Sequence, residues 1–285
     1  MRIQLDRSGG KLTARLADIA AGRVTPAVPR DAATVMVLRE AAGDIQVLML
    51  RRTAAMRFAP GAYVFPGGSV DPADYDADIG WHGPSPAEFG ERLGAPADVA
   101  RALVCAAVRE TFEESGVLLA GESGDPAARP AVPSGPAWEA DRLALTSGAL
   151  SLAGLLARRG LVLRADLLVP WARWITPEGQ PRRFDTRFFA AALPDGQEAV
   201  GHEAEADRVE WLSPAGAIAS AKAGEISLLP PTAATLNDVV SVTAADGGLA
   251  DILAARRTIE PVQPRLVLDD GAAWLIVPDE VGYPL

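Results

Sequence analysis

Two aliphatic, β-branched runs, AATVMVLR (32–39) and IQVLMLRR (45–52), flank AAGD, a pattern that predicts strand, hairpin turn, strand. RFAPGAYVFPGG then takes the chain through a Pro/Gly loop, and a polar segment dotted with Gly and Pro runs from Asp71 to Gly94. From about Pro96 the apolar positions adopt helical spacing. Proline suits a first helical turn, Asp98 puts negative charge at the positive end of the helix dipole, and Gly116 is a natural stop. Residues 121–137 carry too few large apolar side chains to pack and read as a loop. Across 138–168, Leu143, Leu145, Leu152, Leu155 and Leu156 predict short helices with a break at Gly160. WARWIT (171–176) and RRFDTRFFAAAL (182–193) predict an antiparallel pair around PEGQ. RVEWL predicts a further strand, and Ser213-Pro214 opens a helix. PRLVLDD and AAWLIVP in the tail predict a hairpin around Gly271. The alternation belongs to α/β or α+β proteins, and no internal repeat is evident.

The helix ending at Gly116 has an unusual face. At 100° per residue, Glu110, Glu113 and Glu114 fall within an arc of about 100°, and Val99, Leu103, Ala106 and Ala107 project onto the same arc. Like charges therefore continue an apolar stripe that a sheet would cover. Burying three carboxylates together costs several kcal/mol unless a cation neutralises them. Mg2+ or Mn2+ would do so, since hard divalent ions prefer oxygen ligands and carboxylates at i, i+3 and i+4 can converge on one ion. On the helix alone the alternative stays open: the glutamates face water and Arg109 pairs with Glu113 across one turn, worth a few tenths of a kcal/mol.

Composition narrows the choice. A chain of 285 residues that is 49% hydrophobic suits one large domain or a domain with insertions. The net charge is −10 and no basic block exceeds two residues, which excludes a general nucleic-acid binder. An anionic small substrate would need a metal or well-placed arginines. Cys105 is the only cysteine, which excludes an internal disulfide and a cysteine-rich zinc site and fits a reducing compartment; it projects opposite the carboxylates as a small core residue. His82 and His202, both in polar segments, leave little for histidine-centred chemistry. The start lacks an apolar leader core, no apolar run approaches a membrane span, and GYPL is not a peroxisomal address, so a soluble, cytoplasmic protein is expected.

RETFEESGV (109–117) resembles the core of the Nudix box, in which glycine, five residues, glutamate and seven residues precede an arginine, three glutamates and a glycine at fixed spacing. Gly68, closing FPGG (65–68), matches the opening glycine, and Arg109, Glu110, Glu113, Glu114 and Gly116 match the helical half. There are departures. Asp74 stands where the pattern has glutamate, Thr111 occupies an apolar position, and residues 75–108 stand where the pattern has seven. This delayed box, with RRTAAMRFAPGAYVFPGGSVDPAD before it and PWARWITPEGQPRRFDTRFFAAAL after the helix, resembles the split-box branch of the Nudix hydrolases, which includes a peroxisomal coenzyme A diphosphatase.

The resemblance implies a single α/β/α sandwich over 1–285 with a mixed sheet, an insertion at 75–97 and a helical insertion at about 138–168. It implies Mg2+- or Mn2+-dependent cleavage of a diphosphate linkage in a small nucleoside diphosphate derivative, CoA or acyl-CoA foremost. The alternatives are ADP-ribose, NADH or another dinucleotide, or an inactive binding or regulatory domain. By the same resemblance Gly68 (through its carbonyl), Glu110, Glu113 and Glu114 are metal ligands, Glu110 serving as ligand or base, and Arg109 holds the cluster. Glu205, six residues before Trp211, is a further ligand or base, with Glu203 second. Arg52, Arg57 and Phe65 are substrate contacts. Trp171, Trp174, Phe188 and Phe189 pack the core or stack a base. Family habit adds a homodimer; neither nucleic acid nor membrane is expected as a partner.

Overall fold

The computed structural model describes all residues except 1, 7–9, 55–58, 128, 202–205, 246, 282 and 285. In chain order the first elements are β1 (Arg2–Asp6), α1 (Lys11–Ala20), β2 (Arg30–Ala41), β3 (Asp44–Arg52), β4 (Ala62–Val64), β5 (Gly67–Ser69) and β6 (Trp81–His82). Then come α2 (Pro86–Leu93), α3 (Ala97–Ser115), β7 (Ala120–Glu122), α4 (Pro136–Thr146), α5 (Leu152–Arg159), β8 (Leu161–Arg164), β9 (Val169–Ile175) and β10 (Phe184–Ala192). The last are β11 (Ala206–Leu212), α6 (Pro214–Lys222), β12 (Ser227–Leu228), α7 (Pro230–Ala244), α8 (Leu249–Ala254), β13 (Pro261–Val262), β14 (Arg265–Asp269) and β15 (Ala272–Ile276).

The predicted hairpin at 32–52 is the centre of the largest sheet. Strand β2 is apolar on both sides because both faces are covered: Ala33, Val35 and Val37 face one core, Met36 and Leu38 the other. It pairs antiparallel with β3 and parallel with β10, and β10 pairs antiparallel with β9, as expected of 171–193. The order is β12-β4-β3-β2-β10-β9-β13, with β11 on β3 and β5 on β2. One face packs against α2, α3, α4 and α5, the other against α6, α7 and α8, so the fold is the expected α/β/α sandwich with a mixed sheet. Phe188 and Phe189, adjacent on β10, point into opposite cores, and Trp171 and Trp174 are buried in the α6–α8 core, so all four pack. Cys105 is buried too, and burial pushes its thiol up to about 12. Among the described residues no helix is long and apolar enough to cross a membrane.

The two segments expected as insertions, 75–97 and 138–168, join each other. In the first, α2 was hidden by its polar surroundings, although Ser85 and Glu88 form a capping box around Pro86 that is legible in SPAE. In the second, α4 and α5 form as predicted, but 161–164 is a strand. That strand, β8, pairs with β6 of the first insertion and with β7, making a small three-stranded sheet. On α4 the expected core residue Leu143 is 49% exposed, while Asp141 and Arg142 turn inward; Asp141 accepts from Arg158 (2.6 Å) and Arg159 (2.8 Å) on α5. Phe89 of α2 is 1% exposed, edge-on to Trp81 at 6.2 Å and 6.4 Å from Phe189 of the main sheet. Phe89→Ala is expected to cost about 3–5 kcal/mol, the usual loss for a buried phenylalanine. Denaturant unfolding checks this: one cooperative transition at lower midpoint is expected, whereas two separated transitions would mean that the insertion folds apart from the sheet.

Candidate active site

FPGG runs from the end of β4 into β5, and β2 holds it. Thr34 Oγ1 and the Val35 amide both donate to the Pro66 carbonyl, at 2.6 and 2.9 Å, and Gly67 and Gly68 pair with Thr34 and Ala33. This brings the turn against α3, where the Gly67 amide donates to Glu114 Oε2 at 2.9 Å. A Cβ on Gly67 would stand 2.5 Å from the Ala33 carbonyl oxygen, so close approach to the backbone of β2 requires glycine there, whereas one on Gly68 would stand 2.3 Å from Glu110 Oε1, the mobile end of a side chain that would have to shift. The α3 stripe is buried as the helical projection predicts, with Leu103, Ala106 and Ala107 fully covered. Thr111 fits its apolar position because its hydroxyl donates to the Ala107 carbonyl one turn back, at 2.7 Å.

Arg109 lies at the centre of the acidic cluster. Its Nε and Nη2 donate to the two oxygens of Asp74, each at 2.9 Å; Nη1 donates to Glu110 at 2.9 Å and Glu113 at 3.2 Å; Nη2 also reaches the Ser69 carbonyl at 3.0 Å. Burial works against the Arg109 charge, but the Asp74 hydrogen bonds and the fields of Glu110, Asp74 and Glu113 outweigh it and hold the guanidinium above its ordinary range. Asp74, at 2% exposure, is thus the fork-on-fork partner of Arg109, brought there by the single turn Pro72–Tyr75 that Asp71 caps.

Arg142, from the second insertion, was missed in the sequence. It is 3% exposed and its Nε donates to the Glu113 carbonyl at 2.8 Å, while the Val200 amide takes the Ser115 carbonyl at 2.8 Å. A cation thereby closes the negative end of α3. Burial lowers the Arg142 pKa, and Glu139, Glu113 and Glu114 oppose that. No local signal marks Arg142, since its partner is a backbone carbonyl 29 positions away.

Of the remaining expected site residues, Arg52 and Phe65 are among the described residues. Arg52 is half-buried at the end of β3, opposite Ala206 of β11, and its neighbour Arg51 forms a double hydrogen bond with Asp207 at 2.6 and 2.7 Å. Phe65 is 4% exposed and edge-on to Phe188 at 6.5 Å, so its ring packs in the core away from any surface open to a ligand. Arg57, Glu203 and Glu205 lie outside the described residues.

The cluster suits a hard divalent cation in its chemistry. Its donors are oxygens: the carboxylates of Asp74, Glu110 and Glu113 meet the Arg109 guanidinium, and that of Glu114 accepts from the Gly67 amide. Among the described residues, though, no three acidic, thiol or imidazole side chains are already gathered as metal ligands. Arg109 and the Gly67 amide hold the carboxylates, and an ion would compete with those donors.

Comparison with known proteins points to one family. A family profile described as the NUDT19 Nudix domain matches residues 85–238. The acyl-coenzyme A diphosphatase NUDT19 of Gallus gallus is 31% identical over 251 residues, covering 71% of this chain and 65% of its own; that of Homo sapiens is 34% identical over 227 residues, covering 67% and 59%. The match thus spans less than two thirds of these relatives' length. The crystal structure of a Nudix hydrolase from Alicyclobacillus acidocaldarius aligns over 82% of this chain and 99% of its own, with 32% identity and a TM-score of 0.65. Fold and site together define a Nudix hydrolase. Within that class the chain belongs to the family of the NUDT19 Nudix domain.

Asp74→Ala would leave Arg109 buried without its bidentate partner and is expected to cost about 3–5 kcal/mol in denaturant unfolding. Asp74→Glu, which restores the residue usual at this position of the box, is expected to retain most of that stability.

Proposed function

We propose that this chain is a Mg2+- or Mn2+-dependent hydrolase that cleaves the diphosphate linkage of CoA or an acyl-CoA. The single observation that carries the reading is the half-buried acidic cluster of α3 pressed against the Gly67-Gly68 turn. The relatives named acyl-coenzyme A diphosphatase support the choice of substrate class. The Gly68 carbonyl and the carboxylates of Glu110, Glu113 and Glu114 would hold the metal. When bound, it supplies charge neutralisation at the diphosphate oxygens and a water of lowered pKa.

The chain's own groups do the rest. Arg109 keeps the glutamates on one side of α3, and Asp74 keeps Arg109 in place. Glu114, bound to the Gly67 amide, fixes the distance between helix and turn, and Arg142 anchors the main chain at Glu113. Glu110 is the carboxylate assigned to take the proton of the attacking water as its oxygen bonds to phosphorus and the bridging P–O bond breaks; Glu205 is the second choice. Arg52 and Arg57 are the proposed phosphate contacts. A cytoplasmic homodimer acting on a small molecule completes the reading.

The test is a panel of CoA, acetyl-CoA, ADP-ribose and NADH with Mn2+, with products separated by chromatography. Cleavage of CoA and acetyl-CoA to 3′,5′-ADP and phosphopantetheine products is expected. Turnover of ADP-ribose alone would overturn the CoA assignment, and turnover of none would overturn the hydrolase. Glu114→Gln is expected to lower kcat by at least the ~100-fold that loss of an outer-shell partner can reach, with an unchanged circular dichroism spectrum.

A further inference from the structure

On the face of the sheet that α3 covers, a second group of charged side chains brings three arginines together among acidic residues. Across the strands Gly68 stands opposite Ala33, Ala33 opposite Arg187, and Arg187 opposite Arg173. At the usual strand spacing that is about 14 Å from the glycine turn to Arg173. There Arg173, Arg92 at the end of α2 and Arg257 line a cleft of about 500 Å³, together with the exposed Glu91 and Glu260.

Two of these arginines are matched. Arg173 forms a double hydrogen bond with Asp185 at 2.9 and 2.7 Å, and Arg257 pairs with Asp238 at 2.9 Å while stacking over Trp171 at 4.3 Å. Arg92 differs. Among the described residues its buried Nη2 has no hydrogen-bond partner, and none of the ion pairs includes it. Burial and the nearby Arg256 both push its pKa down. Three guanidiniums thus meet at one place in a chain of net charge −10, and the partly buried Arg92 has an Nη2 that no anion among the described residues meets, a cost that a ligand would relieve.

We propose that this cleft binds a phosphate monoester dianion, with Arg92 as its principal donor and Arg173 and Arg257 beside it. A guanidinium's planar fork of N–H groups matches phosphate oxygens in pairs, and the partly buried setting strengthens each bond. A phosphate at this distance from the acidic cluster has two sources. It is a second phosphate on the substrate whose diphosphate lies at α3, which rests on the function proposed above, or it is a separate small phosphate ligand, which does not.

The test begins with inorganic phosphate titrated into the full chain in metal-free buffer, followed by calorimetry. Binding by the wild type is expected, and at least tenfold weaker binding by Arg92→Gln. Without phosphate, Arg92→Gln is expected to melt at the wild-type temperature or above it, and to lose the rise in melting temperature that phosphate gives the wild type. Absence of binding by the wild type, or equal binding by the variant, would overturn the site. Arg92→Lys, which keeps the charge but not the fork, is expected to bind with intermediate strength and serves if the glutamine variant does not fold. The source is read from kcat/KM for CoA against dephospho-CoA. A tenfold fall in that ratio in Arg92→Gln, carried by KM, assigns the phosphate to the substrate, and an unchanged ratio with lost phosphate binding assigns it to a separate ligand. If neither compound is turned over, the function above fails while the phosphate titration still decides the site.

Discussion

The guanidinium of Arg109 is the contact on which the site depends. Three glutamates on one face of a covered helix repel one another, and no arrangement of α3 against the sheet is tolerable unless that repulsion is offset. Arg109 offsets it from within the same helix, bridging Glu110 and Glu113 and reaching Asp74 and the Ser69 carbonyl across the gap to the turn. Because every donor of this planar group has a fixed direction, the contact also sets where Asp74 and the loop must lie. Glu114 completes the link by accepting from the Gly67 amide.

This network explains how the box survives being split. Asp74 and Arg109 are 35 positions apart, several times the separation in the family pattern, yet they touch. Closing a longer loop costs little: each doubling adds roughly 0.6 kcal/mol, so the extra length here adds about 1 kcal/mol. A buried, doubly hydrogen-bonded ion pair outweighs that. The insertion also contributes packing of its own through Phe89 and through β6, which pairs with the strand supplied by the second insertion. The second insertion in turn sends Arg142 to the end of α3. The two added segments therefore brace the carboxylate-bearing helix from both ends.

Much of this was legible in the chain because it is local. The spacing of Glu110, Glu113 and Glu114, the stop at Gly116, the hairpin turn between β2 and β3, and the Ser213-Pro214 helix start each depend on residues a few positions apart. Phe65, Leu143 and Arg142 were misread or missed for the converse reason. An aromatic residue beside a Pro-Gly turn does not say whether distant segments cover it. The rotation of α4, which turns Leu143 outward and Arg142 inward, is set by what α4 packs against.

The sequence by itself determined the acidic face of α3, the glycine turn that must approach it and the mixed order of strands and helices, since backbone periodicity and steric need are written in neighbouring residues. Only the tertiary structure decided that Asp74 meets Arg109, that strands as short as β6 and β8 join two insertions, and that Arg92 is left without an anion beside Arg173 and Arg257. Each of these depends on distant segments meeting where water is excluded. There the strength of a charge contact is set by surroundings that no single stretch of chain contains.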